Sequence, residues 1–199
     1  MRLSDARRDH YRKLAKDKGY RSRSAYKLLQ LNNSYHIFRQ GDKVIDLGSA
    51  PGGWLQIAKE KVGTCGRVIG IDIKELEPID DIIIFRRDIE DQTIVDEIIG
   101  ILNCKADIVL SDLSPNVSGI WDIDHARQIS LTRNAWTLVQ KVLKKGGTAI
   151  FKVFEGELLN RLKRELSTDF DKVLLTKPDA SRQKSSELYI ICLSFRDKY

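Results

Sequence analysis

Short apolar runs recur along the chain, each bounded by polar residues and turn formers. Seven of them read as strands: 43–47, 67–73, 82–88, 106–112, 148–154, 172–176 and 187–193. Most gaps between them carry apolar residues at helical spacing. Ile94, Val95, Ile98, Ile99 and Leu102 mark one helix over about 91–102. Others are expected over 55 to about 61, over about 124–144 and over 157–166. Near the amino terminus, Leu28 and Leu31 mark the buried stripe of a helix over 25–31, with Ser24 as its cap and Asn32-Asn33 as its stop. Lys27 sits at the edge of that stripe, where a lysine ordinarily snorkels to water. Residues 1–20 read as a mobile basic arm or a frayed helix. Strands alternating with helices predict an α/β fold, a mostly parallel sheet with helices on both faces. No helical pattern separates 172–176 from 187–193, so the last strand is expected to be antiparallel. The chain reads as one domain, with 1–30 a basic arm or helix belonging to it and 31–199 the remainder.

The stretch that changes this picture most is Asp46-Leu47-Gly48-Ser49-Ala50-Pro51-Gly52-Gly53-Trp54. It follows the first strand and opens a helix. Gly48, Gly52 and Gly53 let the backbone turn sharply and approach a ligand that a Cβ would push away. The G-x-G-x-x-G fingerprint of dinucleotide folds is absent, and a carboxylate stands before the first glycine instead. Asp46 there suits an amino group better than a diphosphate. The stretch resembles motif I of S-adenosylmethionine-dependent methyltransferases. The plainer alternative is a ligand-free βα turn.

Further acids fall where the same edge of a parallel sheet would gather them. Asp72 closes the second strand near the offset at which such folds meet a ribose diol. A carboxylate is acceptor-only and takes two hydroxyl protons at once; a strand-end turn aspartate is the alternative. Asp88 closes the third strand and is placed to accept from an adenine amino group. Asp112 closes the fourth and leads into the turn-rich Leu113–Trp121 loop. Lys152 interrupts the apolar strand 149–154, and Glu187 begins the last strand. A lysine there is short of water and needs partners. It is either half of a buried salt bridge with Asp112 or Glu187, or a base that a second cation such as Lys27 helps to deprotonate.

Charge is uneven. The chain carries 34 Lys/Arg and 28 Asp/Glu, a net of +6. Residues 1–30 alone hold ten Lys/Arg against three acids, so the whole positive excess lies there. Arg7, Arg8, Arg12, Arg21 and Arg23, interleaved with Tyr11, Tyr20 and Tyr26, suit a polyanion such as RNA. Arg182 and Lys184, in the polar 177–186 loop, extend that expectation. Cys65, Cys104 and Cys192 are scattered and lack metal-ligand spacing, so no metal is expected. No apolar run reaches the length of a membrane span. With a charged amino terminus, this points to a cytoplasmic, membrane-free protein, and a monomer is the expectation.

Three further segments complete a resemblance. Ser111-Asp112-Leu113-Ser114-Pro115-Asn116, Phe151-Lys152-Val153-Phe154 and Ser185-Ser186-Glu187-Leu188-Tyr189 accompany the glycine turn and Arg21–Leu28. Together they resemble the FtsJ/RrmJ ribosomal RNA 2′-O-methyltransferases over nearly the whole chain. Leu113-Ser114 stands where bacterial members have Met-Ala. The resemblance implies a single Rossmann-like class I methyltransferase domain. It implies S-adenosylmethionine held by Asp46, Gly48, Gly52, Gly53, Trp54, Asp72, Asp88 and Asp112, with S-adenosylhomocysteine as product. It implies a Lys27, Asp112, Lys152 and Glu187 tetrad, Lys152 being the base, acting on a ribose 2′-hydroxyl. The implied partner is large-subunit ribosomal RNA and not DNA, at an A-loop uridine. Related enzymes leave transfer RNA or an mRNA cap open as substrates. A non-catalytic assembly factor and a nicotinamide oxidoreductase are the remaining alternatives.

Overall fold

The computed structural model of the protein describes residues 3–91, 93–182 and 185–197, with side chains from His10 onward. The parallel strands are β1 (Lys43–Leu47), β2 (Arg67–Asp72), β3 (Ile82–Arg86), β4 (Ala106–Ser111) and β5 (Leu143–Phe154). Strands β6 (Phe170–Thr176) and β7 (Glu187–Phe195) complete a seven-stranded sheet of order β3-β2-β1-β4-β5-β7-β6. Strand β7 runs antiparallel to both neighbours, inserted between β5 and β6. The expected architecture is therefore present, and the order places β1 and β4 side by side at its centre.

Strand residues alternate between two cores. Ile45, Leu47, Ile69, Ile71, Val109, Phe151 and Ile190 face the helices α4 (Ile94–Leu102), α5 (Trp121–Val142) and α6 (Leu159–Leu166). Val44, Val68, Ile108, Leu110, Ile150, Tyr189 and Ile191 face α2 (Ala25–Tyr35) and α3 (Gly53–Val62). Near-continuous apolar strands are what a sheet covered on both sides requires.

Two local expectations are corrected and one open choice is decided. Of the arm and the helix expected over 1–20, the chain is an α-helix, α1 (Leu3–Asp17). It docks through Tyr11, whose ring lies 5.5 Å from that of Tyr26 and whose hydroxyl accepts from Gln30 Nε2 at 2.9 Å. Tyr20 also packs on Tyr26, at 5.9 Å, so these aromatics are spent on each other. Second, Asn32-Asn33 does not stop α2. Asn32 Oδ1 instead accepts the Phe38 amide at 3.1 Å, and the helix ends at a left-handed His36. Ser24 makes no side-chain cap bond and its Oγ lies 2.6 Å from Ser22 Oγ. Third, β5 begins at Leu143, before Gly146-Gly147, because Leu143 already pairs with Ala106 across an irregularity in β4.

Candidate active site

The glycine turn leaves β1 at the carboxyl rim and becomes the first turn of α3. Gly48 has φ +75°, and a Cβ there would stand 2.9 Å from Leu113 Cδ2. Gly52 has φ +110°, with Arg21 and Ile79 side chains against its open face. These two positions need glycine for conformation and for space. The turn is pinned from β2, where Asp72 Oδ2 accepts the Ala50 amide at 2.8 Å and its Oδ1 accepts the Lys74 amide at 2.8 Å. Asp88 lies farther along the rim, its Oδ1 accepting the Glu90 amide at 3.0 Å.

Asp46 is wholly buried beneath the turn. Neither of its side-chain oxygens has a hydrogen-bond partner among the described residues, and Ser49 Oγ shares that condition. Burial pushes the Asp46 carboxyl well above its usual range, and the charges of Asp112 and Asp72 push it further. A buried carboxylate without a partner is costly. One that faces its own glycine turn is a socket for a cation, such as the ammonium of an amino acid.

Trp54 stands at the start of α3. Its ring is buried, 5.7 Å from that of Tyr189, and its Nε1 donates to the Ser24 carbonyl at 2.9 Å. The indole ties α3 to α2, which leaves its backbone amide as what the residue can offer a ligand.

The four tetrad residues meet. Lys152 follows Phe151 on β5 and is paired in register with Tyr189 of β7, so Glu187 starts β7 opposite Phe154. Lys152 is 6% exposed; its Nζ donates to the Asp112 main-chain oxygen at 2.7 Å and lies 3.4 Å from Asp112 Oδ1. Lys27, also 6% exposed, donates to Glu187 Oε2 at 2.8 Å. It does not snorkel, because α2 packs its face on the sheet. Its Nζ is 5.7 Å from the Tyr189 ring centre. Burial pushes the Glu187 carboxyl up, but Lys27 and, less strongly, Lys152 and Ser185 bring it below its usual value.

Several residues of this site carried no expectation. The Tyr189 hydroxyl donates to Asp112 Oδ1 at 3.0 Å, fixing the carboxylate that faces Lys152. Burial first, then Asp112 and Glu187, pushes this phenol well above its usual range, so it stays a donor. Gln128 Nε2 donates to the carbonyls of Lys152 at 2.9 Å and Leu113 at 3.3 Å, joining the two strand ends. Asp124 accepts from Ser118 N, Ser118 Oγ and Gly119 N at 2.6, 2.8 and 3.0 Å, which orders the Leu113–Trp121 loop. Those bonds, the Ser118 amide first, hold its carboxyl below the usual range. Asp124, Gln128 and Thr132 are all buried and four apart on α5. That polar stripe inside a buried helix was the available signal.

The basic residues gather at a second place. Arg12, Lys16, Arg21, Arg23 and Arg182 line a groove of about 470 Å³ between α1, the 20–23 turn and the 180s loop. Arg21 also donates to the carbonyls of Glu77 and Pro78. The side chains of Arg7 and Arg8, and Lys184 altogether, lie outside the described residues.

An unpaired buried carboxylate beneath the glycine turn, with further acids at the strand ends along the same rim, suits a ligand with an ammonium at one end and a nucleoside at the other. That places the protein in the class of Rossmann-like methyltransferases. The model of the FtsJ-like methyltransferase family matches residues 20–195, and the chain belongs to that family. It is 50% identical over 195 residues to the ribosomal RNA large subunit methyltransferase E of Nitrosopumilus maritimus, covering 98% of this chain and 99% of that protein. It is 47% identical to the protein of that name from Cenarchaeum symbiosum, covering 98% and 100%. A crystal structure described as a ribosomal RNA methyltransferase of Plasmodium falciparum superposes with a TM-score of 0.82 at 32% identity, over 88% of this chain and 98% of that one. Membership implies S-adenosylmethionine as methyl donor, and the orphaned Asp46 with the glycine cradle fits it.

Proposed function

We propose that the protein methylates a ribose 2′-hydroxyl of large-subunit ribosomal RNA, at a uridine of the peptidyl-transferase A-loop, with Lys152 as general base. The observation that carries this reading is the setting of the Lys152 amine. A neutral amine has two N–H donors and one lone pair. Asp112 accepts one of them at its main-chain oxygen at 2.7 Å, and its Oδ1 lies within ion-pair distance at 3.4 Å. Held by that bond and short of water, a neutral amine there keeps a lone pair to accept a proton from a hydroxyl. Tyr189 holds Oδ1 from the other side. Lys27 pairs with Glu187, so the second carboxylate near Lys152 already has a cation.

When bound, S-adenosylmethionine supplies an electrophilic methyl group. Asp46 would take its ammonium, Gly48, Gly52, Gly53 and the Trp54 amide would cradle it, and Asp72 and Asp88 would take its ribose and adenine. Asp112 belongs to both sites. Glu187 and Lys27 would hold the substrate ribose while Lys152 takes the 2′-hydroxyl proton. Positioning of this kind supplies much of the rate in a transfer that needs reactants about 3–3.5 Å apart. The names of the relatives support ribosomal RNA as substrate. Arg12, Arg21, Arg23 and Arg182, with Arg7, Arg8 and Lys184, would hold the phosphates. DNA lacks the reacting hydroxyl. A cytoplasmic monomer completes the reading; no helix among the described residues is long and apolar enough to cross a membrane.

The test is methyl transfer to large ribosomal subunits and to an A-loop RNA stem-loop, mapped by nucleotide. A single 2′-O-methyl mark, abolished by a 2′-deoxy substitution at that nucleotide, is expected. A mark on a base, or none on either RNA, overturns the reading.

A further inference from the structure

The loop that begins at the tetrad carries an apolar surface that the reaction above leaves unused. Nine large hydrophobic residues are exposed among the described ones, and four of them, Val117, Ile120, Trp121 and Ile123, fall within seven positions. Leu158, at the start of α6, is a fifth, and its amide donates to His125 Nε2 at 3.2 Å. Trp121 as a residue is 46% exposed. It is backed rather than free: its ring centre lies 6.2 Å from that of His125, with planes 18° apart, and 6.0 Å from that of Phe154. His125 is buried and is pressed by Gly156, where a Cβ would come within 2.6 Å of the imidazole.

Two links join this surface to the site. Phe154 is two residues beyond Lys152 on β5, so by strand alternation both leave the same side of the strand. Asp112 opens the loop, and the three bonds accepted by Asp124 fix its far end immediately before Trp121. The Arg127 guanidinium donates to the Asn116 carbonyl at 3.2 Å and adds a cation beside the loop.

We infer that Trp121 is a stacking platform for a base of the RNA strand, at the modified nucleotide or one of its two neighbours, turned out of its own stack. This rests on the ribose-methylation reading. A ribose brought to a buried lysine carries its base to the sheet rim beside that lysine. Single-stranded RNA is recognised largely by stacking unstacked bases on aromatic side chains. A half-exposed indole at the start of α5, backed by His125 and Phe154 and preceded by a pinned loop, loses little entropy when a base covers it. Trp121 is then a specificity-determining residue that tells a looped-out nucleotide from a paired one.

The experiment uses the full chain, S-adenosylmethionine and the A-loop stem-loop, in wild type and in Trp121→Phe, Trp121→Leu and Trp121→Ala variants. The Trp121→Ala and Trp121→Leu proteins are expected to raise the KM for RNA by about ten- to a hundred-fold, the range that base–aromatic stacking provides. Trp121→Phe should stay within about threefold of wild type, and cofactor affinity by calorimetry should be unchanged in all three. An abasic substitution that keeps the 2′-hydroxyl, tried at the target and at each neighbour, should at one of these positions weaken wild type to the Trp121→Ala level and weaken Trp121→Ala no further. Trp121→Leu matching Trp121→Phe would make the contact merely apolar and overturn the proposal. So would independent, multiplying effects of the abasic site and the substitution at all three positions. Normal KM on naked RNA with a defect only on intact subunits would assign the surface to a ribosomal protein instead. If wild type itself leaves the 2′-hydroxyl unmodified, the function above fails and the platform with it.

Discussion

Replacing Asp46 by Asn separates folding from binding at one atom pair. Asp46 is fully buried, both oxygens lack partners among the described residues, and Asp112 and Asp72 repel its charge. Its carboxyl therefore titrates higher in the folded than in the unfolded protein. The folded state binds that proton more tightly, so stability falls as pH rises from the unfolded value towards the folded one, and the penalty is full above the folded value. Asparagine keeps the shape and removes the charge. Its amide remains an unsatisfied buried polar group, so only the charge penalty is removed. The ligand-free variant is expected to be more stable at neutral pH by about 1–3 kcal/mol, a part of the cost of burying a charge in place of a neutral group. Each kcal/mol raises Tm by about 2–4 °C in a chain of this size. Binding moves the other way. Removing one partner of a buried ion pair costs about 3–5 kcal/mol, so affinity for S-adenosylmethionine should drop by about two to four orders of magnitude. Thermal melts without ligand and titration calorimetry with it read both effects. A variant that melts lower, or that binds within about threefold of wild type, refutes the reasoning.

Other predictions follow from single contacts. Gly48→Ala places a Cβ 2.9 Å from Leu113 Cδ2 and 3.1 Å from its backbone Cα at φ +75°. It should lose about 1–3 kcal/mol in urea unfolding and most cofactor binding; an unchanged midpoint contradicts the cradle. Tyr189→Phe removes the 3.0 Å bond to Asp112 Oδ1 while keeping the buried ring. It should cost about 1 kcal/mol and lower kcat with cofactor affinity intact; wild-type turnover contradicts the positioning role. Glu187 is held below its ordinary value of 4.5, so it contributes stability above that value that is lost as pH falls through the folded one. Melts of Glu187→Gln between about pH 3 and 6 should show a shallower acid limb than wild type; an unchanged slope contradicts the pairing with Lys27.

Much of this site was legible because its residues sit at ends of elements that the apolar pattern marks. Lys152 stood out as a charge inside an apolar strand, and the antiparallel β7 put Glu187 at the same rim. Lys27 was legible as a helix-face position but not as buried, because nothing local shows that α2 lies against β5 and β7. Tyr189 went unassigned since its bond to Asp112 spans 77 residues and depends on strand register. The Trp54 indole bond to the Ser24 carbonyl spans 30 residues, so the motif gave no sign that this side chain ties α3 to the start of α2. The amino-terminal helix stood only as an alternative to a mobile arm because of its charge; what orders it is packing through Tyr11 and Tyr26, not a long apolar stripe.

The central claim is that the Lys152 amine takes the proton from a ribose 2′-hydroxyl. Single-turnover methyl transfer by Lys152→Ala, at saturating RNA and S-adenosylmethionine, tests it most directly. The account predicts a loss of about a hundredfold or more in rate, as expected for removing a general base, with cofactor affinity within about threefold of wild type. Transfer at the wild-type rate by that variant would contradict it.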